Sequence, residues 1–394
     1  MKTVQGHILT VNSGSSSIKF ALYQARNKLD KLFSGTLDGI GSENMMITTT
    51  LLKDSIAIPS IHHDQAVSFL IEWLEKQEGF GELVAIGHRI VHGMNYSEPE
   101  MITPELLNKL KEISAYDPEH LPDEIKLIEL LSKSYPSVPQ IACFDTAFHT
   151  TMPAVAQLIA IPRRYQCIGI KRYGFHGLSY TYLMKELEHL SNRRIAKGKV
   201  ILAHLGNGAS LVAVKNGKSV DTSMGFTPTS GLPMSTRTGD LDPGVAAYLI
   251  QHEKLSPHKF NQLINNDSGL LGISETSSNI RELLKIRKTD TRAAEAVALF
   301  CYQTKKFIGA YAAVLGGLDT LVFSGGIGEN APEVREDICS DLHFLGIELD
   351  KNKNKKNDLI ISKDSSPVTV YVIPTNEELM MARLVSQVMK HTVK

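Results

Sequence analysis

Two arginines stand among small or apolar residues, Arg89 in the run GHRIVH and Arg237 in MSTRTGD. A guanidinium in such a setting can clamp carboxylate or phosphate oxygens through two parallel hydrogen bonds, or it can close a structural ion pair. His176 lies in a loop of small residues, RYGFHG. Asp145 ends an apolar run and Glu377 opens the last helical pattern; either could hold a metal or cap a helix. Three further stretches, near residues 12, 206 and 326, place Gly- or Ser-rich loops directly after apolar runs. One such loop is weak support for phosphate binding, and three are much stronger. None carries the Lys-Ser or Lys-Thr that closes a P-loop, and none is a G-x-G-x-x-G in a βαβ unit, so P-loop and dinucleotide-binding folds are disfavoured. Carboxylates, an Asn- and Ser-bearing loop and two arginines together suggest magnesium-assisted phosphoryl transfer, a chemistry of positioning and charge neutralisation.

The elements that position these residues repeat. The apolar run 8–11 enters the loop Asn12, Ser13, Gly14, Ser15, Ser16, Ser17 and the run 18–23 leaves it. Further on, 200–203 enters the loop 204–210 and 211–214 leaves it, with Asn216-Gly217 as a hairpin turn into a third strand. Aligning Gly14 with Gly208 aligns Ser16 with Ser210, which points to an internal duplication and two loop-bearing halves facing each other across a cleft. In the first half, strands are expected at 31–37, 45–50, 83–87 and 140–144, with helices at 65–77, after Thr103-Pro104, and at 123–132. In the second half, helices are expected at 181–190, 245–252, 257–265, 279–287 and 291–315, the last ending on Gly316-Gly317. The stretch 225–244, rich in Gly, Pro, Ser and Thr, is too long for a routine connection and reads as a functional loop. The strand 320–323 opens into a Gly-rich turn, residues 324–330, before a helix starting at Pro332, a strand at 368–373 and a final helix at 376–390. The run 350–358 reads as a solvated charged segment. The order is that of an α/β protein with a binding crevice at the strand ends.

Composition bounds the partners. The 394 residues exceed one ordinary core, and 42% are hydrophobic. Lys plus Arg and Asp plus Glu are both 42, so no net field favours nucleic acid or an anionic membrane. The four cysteines, Cys143, Cys167, Cys301 and Cys339, match no zinc or redox spacing and are expected as buried free thiols in a cytoplasmic protein. The first five residues are polar, and no apolar run approaches the ~20 residues of a membrane span.

The segments VNSGSSSIKF, GHRIVHG, FDTAFHTTMP, RRYGFHGLSY, HLGNGASL, DTSMGFTP, TRTGDLDPG, SGLLGIS, FSGGIGEN and PTNEEL, spread from residue 11 to 379, closely resemble acetate kinases. The resemblance implies two ribonuclease-H-like domains of the actin, sugar kinase and heat-shock ATPase superfamily, each a βββαβαβα core. Residues 1–150 with a C-terminal helix at about 376–394 would form the acyl side, and 151–375 the nucleotide side. It assigns ATP to His204, Leu205, Gly206, Asn207 and Gly208, to Asn279, Ile280 and Arg281, and to Gly326, Ile327, Gly328, Glu329 and Asn330, with Lys19 near the phosphates. Magnesium or manganese would sit on Asn12 and Glu377, with Asp145 as the catalytic carboxylate. Arg89 would hold the acyl carboxylate, Arg237 and His176 the phosphoryl group in flight, and Val91, His120, Phe175 and Pro228 the acyl pocket. Acetate and acetyl phosphate, ATP and ADP, and a homodimeric partner are the implied associates. A propionate or other short-chain acyl kinase is the neighbouring alternative. An actin-like nucleotide-gated ATPase is the alternative of another class, one that needs no acyl-carboxylate clamp. The chain departs from the family pattern at Glu119, where an apolar pocket residue is usual, at Asn279, where Asp is usual, and at Ser235 and Met94, where Gly is usual.

Overall fold

The computed structural model describes residues 6–14, 16–25, 29–191 and 193–392; Met1 to Gln5, Ser15 of the first loop and Asn192 lie outside it. The chain divides into two compact units, Met1–Ala147 with Asn376–Lys394, and Phe148–Thr375.

The first unit is built on a mixed sheet. Strands β1 (His7–Ser13), β2 (Ser17–Gln24), β3 (Asp30–Asp38), β4 (Met46–Thr49) and β5 (Ile56–Ala57) run antiparallel in sequence. β6 (Leu83–Ile90) then pairs parallel with β1, and β8 (Gln140–Phe144) pairs parallel with β6. The two-residue strand β7 (Glu100–Met101) closes the far edge, giving the order β5-β4-β3-β2-β1-β6-β8-β7. Alternation explains the inner layer: Ile18, Phe20 and Leu22 of β2 point to one face, where they pack with Leu9, Val11 and Phe33 against Ala66, Val67, Leu70 and Leu74 of the helix His63–Glu75. That helix and Leu121–Ser134 carry the apolar faces that cover the sheet. The last helix, Glu377–Thr392, returns to β1, β6 and β8, and Val385 approaches so closely that a Cβ on Gly87 would lie 2.6 Å from it.

The second unit repeats the plan with fewer strands. β9 (Lys199–Leu205), β10 (Ala209–Lys215) and β11 (Lys218–Thr222) are antiparallel, and β12 (Thr320–Ser324) and β13 (Thr369–Val372) add in parallel, in the order β11-β10-β9-β12-β13. This matches β3-β2-β1-β6-β8 of the first unit strand for strand. The tips of the two opening hairpins pair differently, Ser13 with Ile18 in the first unit and Leu205 with Ala209 in the second. One face is covered by the helix Gly177–Leu190 and the other by Thr291–Leu315, whose N-terminus is capped by Asp290 and whose C-terminus ends on Gly316 at φ +70.

Three expectations change. Residues Gly325–Asn330 form a short helix of their own, because Glu329 accepts a hydrogen bond from Gly325 N at 2.9 Å and so caps the turn from within. The charged run contains the helix Lys351–Lys355, where Asn354 is buried and its side chain and carbonyl take the Arg335 guanidinium at 2.8 Å. Cys143, Cys301 and Cys339 are buried, but Cys167, on the short helix Arg163–Cys167, is exposed. Among the described residues no helix is long and apolar enough to cross a membrane.

Candidate active site

Each unit gathers its chemistry at the carboxyl ends of its parallel strands, where main-chain groups are left without a strand partner and side chains converge from several elements. In the first unit, Asn12 stands near the end of β1, Arg89 near the end of β6, and Asp145 directly after β8; register pairs Arg89 with Cys143 and Ile90 with Phe144. Arg89 Nη2 donates to Asp145 Oδ2 at 2.8 Å and its Nη1 to Asn12 Oδ1 at 3.3 Å. Glu377, at the start of the last helix, accepts from Asn12 Nδ2 at 3.5 Å. Asp145 has no exposed surface.

Burial alone would strip the proton from Arg89 more readily, but the Asp145 carboxylate, then Glu377 and Glu124, more than offset it and hold the guanidinium charged. The same crowding acts oppositely on the acids. Burial pushes Glu377 up to about 7, with Arg89 pulling it down and Asp145 pushing it further up. Glu124 is raised well above the ordinary carboxylate range, first by burial, with Arg89 opposing and Asp117 adding to it. Glu124 is the functional candidate that sequence reading passed over. It sits on the helix Leu121–Ser134, 2% exposed, and both its carboxylate oxygens accept from Val91 N, at 3.2 and 3.1 Å, pinning the chain two residues beyond Arg89. Its signal was an acid three residues into a helix whose neighbours Leu121, Ile125 and Ile128 are all core. Val91 is buried, and His120 Nδ1 lies 2.9 Å from the buried Asp117 carboxylate. Glu119 is half-buried. Lys19 is exposed on β2, opposite Asn12 in register. Met94 has φ +52, the left-handed region that favours glycine.

In the second unit the loop Gly206, Asn207 and Gly208 joins β9 to β10, and Gly206 N donates to Gly208 O at 3.0 Å. Register pairs His204 with Ser324, which brings this loop beside the Gly325–Asn330 helix; a Cβ on Gly206 would lie 3.8 Å from Gly326 N. His176 takes up φ +59 at the N-cap of Gly177–Leu190, a conformation uncommon for a non-glycine residue, and its ring stacks on His204 with centroids 4.3 Å apart. A Cβ on Gly208 would stand 3.2 Å from His176 Nε2 and 3.9 Å from Arg237 Nη1, so the two side chains converge on one loop. The long segment ahead of Pro243 is organised by arginines: Arg172 Nη1 donates to the carbonyls of Thr222, Ser223 and Met224, and Arg237 Nη1 to Pro228 O at 3.2 Å. Ser235 N donates to Asn207 O at 3.2 Å and Ser235 Oγ to Asn207 Oδ1 at 3.3 Å, joining that segment to the Gly-rich loop.

The structure thus groups Asn12, Arg89, Asp145 and Glu377 in one unit, and His176, His204, Gly206 to Gly208 and Arg237 in the other. Leu205, Ile280 and Ile327 are buried, so they can offer a ligand only their main chains. The Glu329 carboxylate is engaged by Gly325 N and, at 3.1 Å, by Thr375 N, and Asn330 Nδ2 donates to Gly326 O. Asn279 is exposed and its Oδ1 caps Arg281 N at 3.0 Å. Phe175 and Pro228 are buried in the second unit. Among the described residues no group of three or more His, Cys, Asp or Glu is arranged to hold a metal ion.

The Acetokinase family model matches residues 7–383. An acetate kinase of Dictyoglomus turgidum is 42% identical over 389 residues, covering 95% of this chain and 96% of its own length. One of Rhodopseudomonas palustris is 42% identical over 386 residues, with 95% and 96% covered. Among solved structures, a propionate kinase from Francisella tularensis superposes with a TM-score of 0.90 at 37% identity, covering 97% of this chain and all of the other. An acetate kinase of Porphyromonas gingivalis superposes with a TM-score of 0.86 at 38% identity, covering 98% of this chain and all of that one.

Proposed function

Because the chain belongs to the acetokinase family, we propose that it reversibly transfers the γ-phosphoryl group of ATP to acetate, giving acetyl phosphate and ADP by direct in-line displacement. The observation that carries this reading is the state of Arg89. One edge of the guanidinium is fixed by Asp145, while Nε is buried without a hydrogen-bond partner among the described residues. A buried donor left over on a charged, oriented fork is what a carboxylate substrate would satisfy. Val91, His120, Phe175 and Pro228 are the residues proposed to bind the acyl group. His204 to Gly208, Gly326 to Asn330 and Asn279 to Arg281 would take the nucleotide, largely through main-chain groups, with Lys19 near the phosphates. Arg237 and His176, which converge on Gly208, would donate to the equatorial oxygens as charge spreads over them. Asp145 holds Arg89 in register with the attacking carboxylate.

The oxygen donors of Asn12 and Glu377 fit magnesium, which takes one or two protein ligands and completes its shell with phosphate and water. Magnesium bound there would neutralise phosphoryl charge. The chain is also proposed to act in the cytoplasm as a homodimer. In support, the helix Pro243–His252 buries none of its residues although Val245, Tyr248 and Ile250 are apolar and 44%, 58% and 40% exposed. Sedimentation velocity tests the dimer.

A propionate kinase is the second reading, favoured by the likeness to the propionate kinase of Francisella tularensis. Hydroxamate formation from ATP and magnesium with acetate, propionate and butyrate decides between the two by the ratio of kcat/KM values. ATP hydrolysis without any acyl hydroxamate would overturn both and favour a nucleotide-gated ATPase.

A further inference from the structure

His176 is held from behind by two buried hydroxyl groups. Its Nδ1 is 2.8 Å from Ser210 Oγ, and Ser210 Oγ is in short hydrogen-bond contact with the Tyr180 hydroxyl. Ser210 and Tyr180 have no exposed surface. The opposite ring edge, Nε2, points at the Gly208 loop beside Arg237 Nη1. His204 repeats the pattern: its Nδ1 is 2.8 Å from Ser179 Oγ, which is 2.8 Å from Thr375 Oγ1.

We propose that Tyr180 and Ser210 are positioning residues that hold His176 as the neutral tautomer with its proton on Nε2, ready to donate to an oxygen of the transferring phosphoryl group. The inference rests on the phosphoryl-transfer reading of this site, because phosphoryl oxygens accept hydrogen bonds and an unprotonated Nε2 would repel them. For Nε2 to carry the proton of a neutral ring, Nδ1 must accept, so Ser210 donates to it. The single Ser210 proton is then committed, and the Tyr180–Ser210 bond is donated by Tyr180. The order of donation is Tyr180 to Ser210 to His176 to substrate. The second partner on a ring nitrogen thereby selects the tautomer at the first.

The test is a long-range proton–nitrogen correlation spectrum of the full chain labelled with nitrogen-15 on histidine, recorded without substrate, with His176 assigned by the signals lost in His176→Gln. The expected result is a His176 ring with unprotonated Nδ1 and protonated Nε2, and a mixture of tautomers in Tyr180→Phe. Tyr180→Phe should also lower kcat about tenfold while both KM values stay within about twofold, the scale of losing a group that orients a reacting one. Ser210→Ala should lose more, but Tyr180→Phe, which removes one oxygen, decides if that variant fails to fold. A protonated Nδ1 in the wild type, or a single unchanged tautomer in Tyr180→Phe, overturns the proposal. The spectrum is read without turnover, so a wrong tautomer in an active acetate kinase refutes only the relay. The expected tautomer in a chain that forms no acyl phosphate refutes only the reaction.

Discussion

The two units present the same strand order and place their chemistry at equivalent strand ends, yet they fill those ends with opposite materials. The first packs one guanidinium among Asp145, Glu377 and Glu124, three acids in a region where water is scarce. The second relies on main-chain groups of Gly-rich loops, two stacked imidazoles, a set of hydroxyls and the Arg237 guanidinium. On the proposed function, the fixed charges of the first unit would meet a short carboxylate and a metal ion, and the main-chain donors of the second a polyphosphate tail. Duplication of one scaffold therefore does not duplicate the site: the backbone plan repeats, and the residues at the strand ends set what each copy can bind.

The largest test of this contrast compares the two arginines. Arg89→Ala and Arg237→Ala should each lower turnover by about 10²–10³-fold, the scale of losing one preorganised donor. Only Arg89→Ala should also destabilise the fold, by about 3–5 kcal/mol, because Asp145 would remain buried without its counterion. Steady-state kinetics with urea unfolding reads both effects, and equal stability of the two variants would break the contrast. Next, Glu124→Ala should cost about 2–4 kcal/mol by leaving Val91 N–H without its acceptor and a gap in the core, whereas Glu124→Gln, which keeps an acceptor, should cost about 1 kcal/mol or less.

In the second unit, Glu329→Ala should lose about 1–2 kcal/mol, since Gly325 N and Thr375 N lose a shared acceptor. It should also raise the ATP KM and leave that of acetate unchanged. A further effect is in pH. Glu377 titrates near 4.5 when unfolded and at about 7 when folded. Across that window the folded chain keeps a proton that the unfolded chain has lost, so this contribution is full below 4.5 and is lost as pH rises through about 7. Thermal melts of Glu377→Gln against pH should show a flatter slope there, and an unchanged slope would mean that Glu377 is solvated.

Strand and helix order was legible because both units obey simple periodicities, and Thr291–Leu315 is bounded by its capping residues at both ends. Arg89, Arg237 and His176 stood out as polar residues in small or apolar surroundings. Glu124 did not, since an acid near a helix N-terminus ordinarily faces water, and only the packing of that helix turns it inward to Val91. The Gly-rich run 325–330 read as a turn because glycine disfavours helix; the Glu329 cap comes from within the run, but its second contact, Thr375, is 46 residues away. Met94 shows the reverse: its φ of +52 falls where the family resemblance marks Gly as usual.

What the amino-acid sequence determined by itself was local: the alternation that builds each sheet, the caps that end its helices, the loops that follow its strands, and the residue types able to carry charge or donate hydrogen bonds. Tertiary structure alone decided the state of those groups. Ionisation, tautomer and free donor capacity depend on distances between residues far apart in the chain, as with Arg89 and Asp145 or His176 and Ser210. Removal from water then makes each such distance count for several times what it would at the surface.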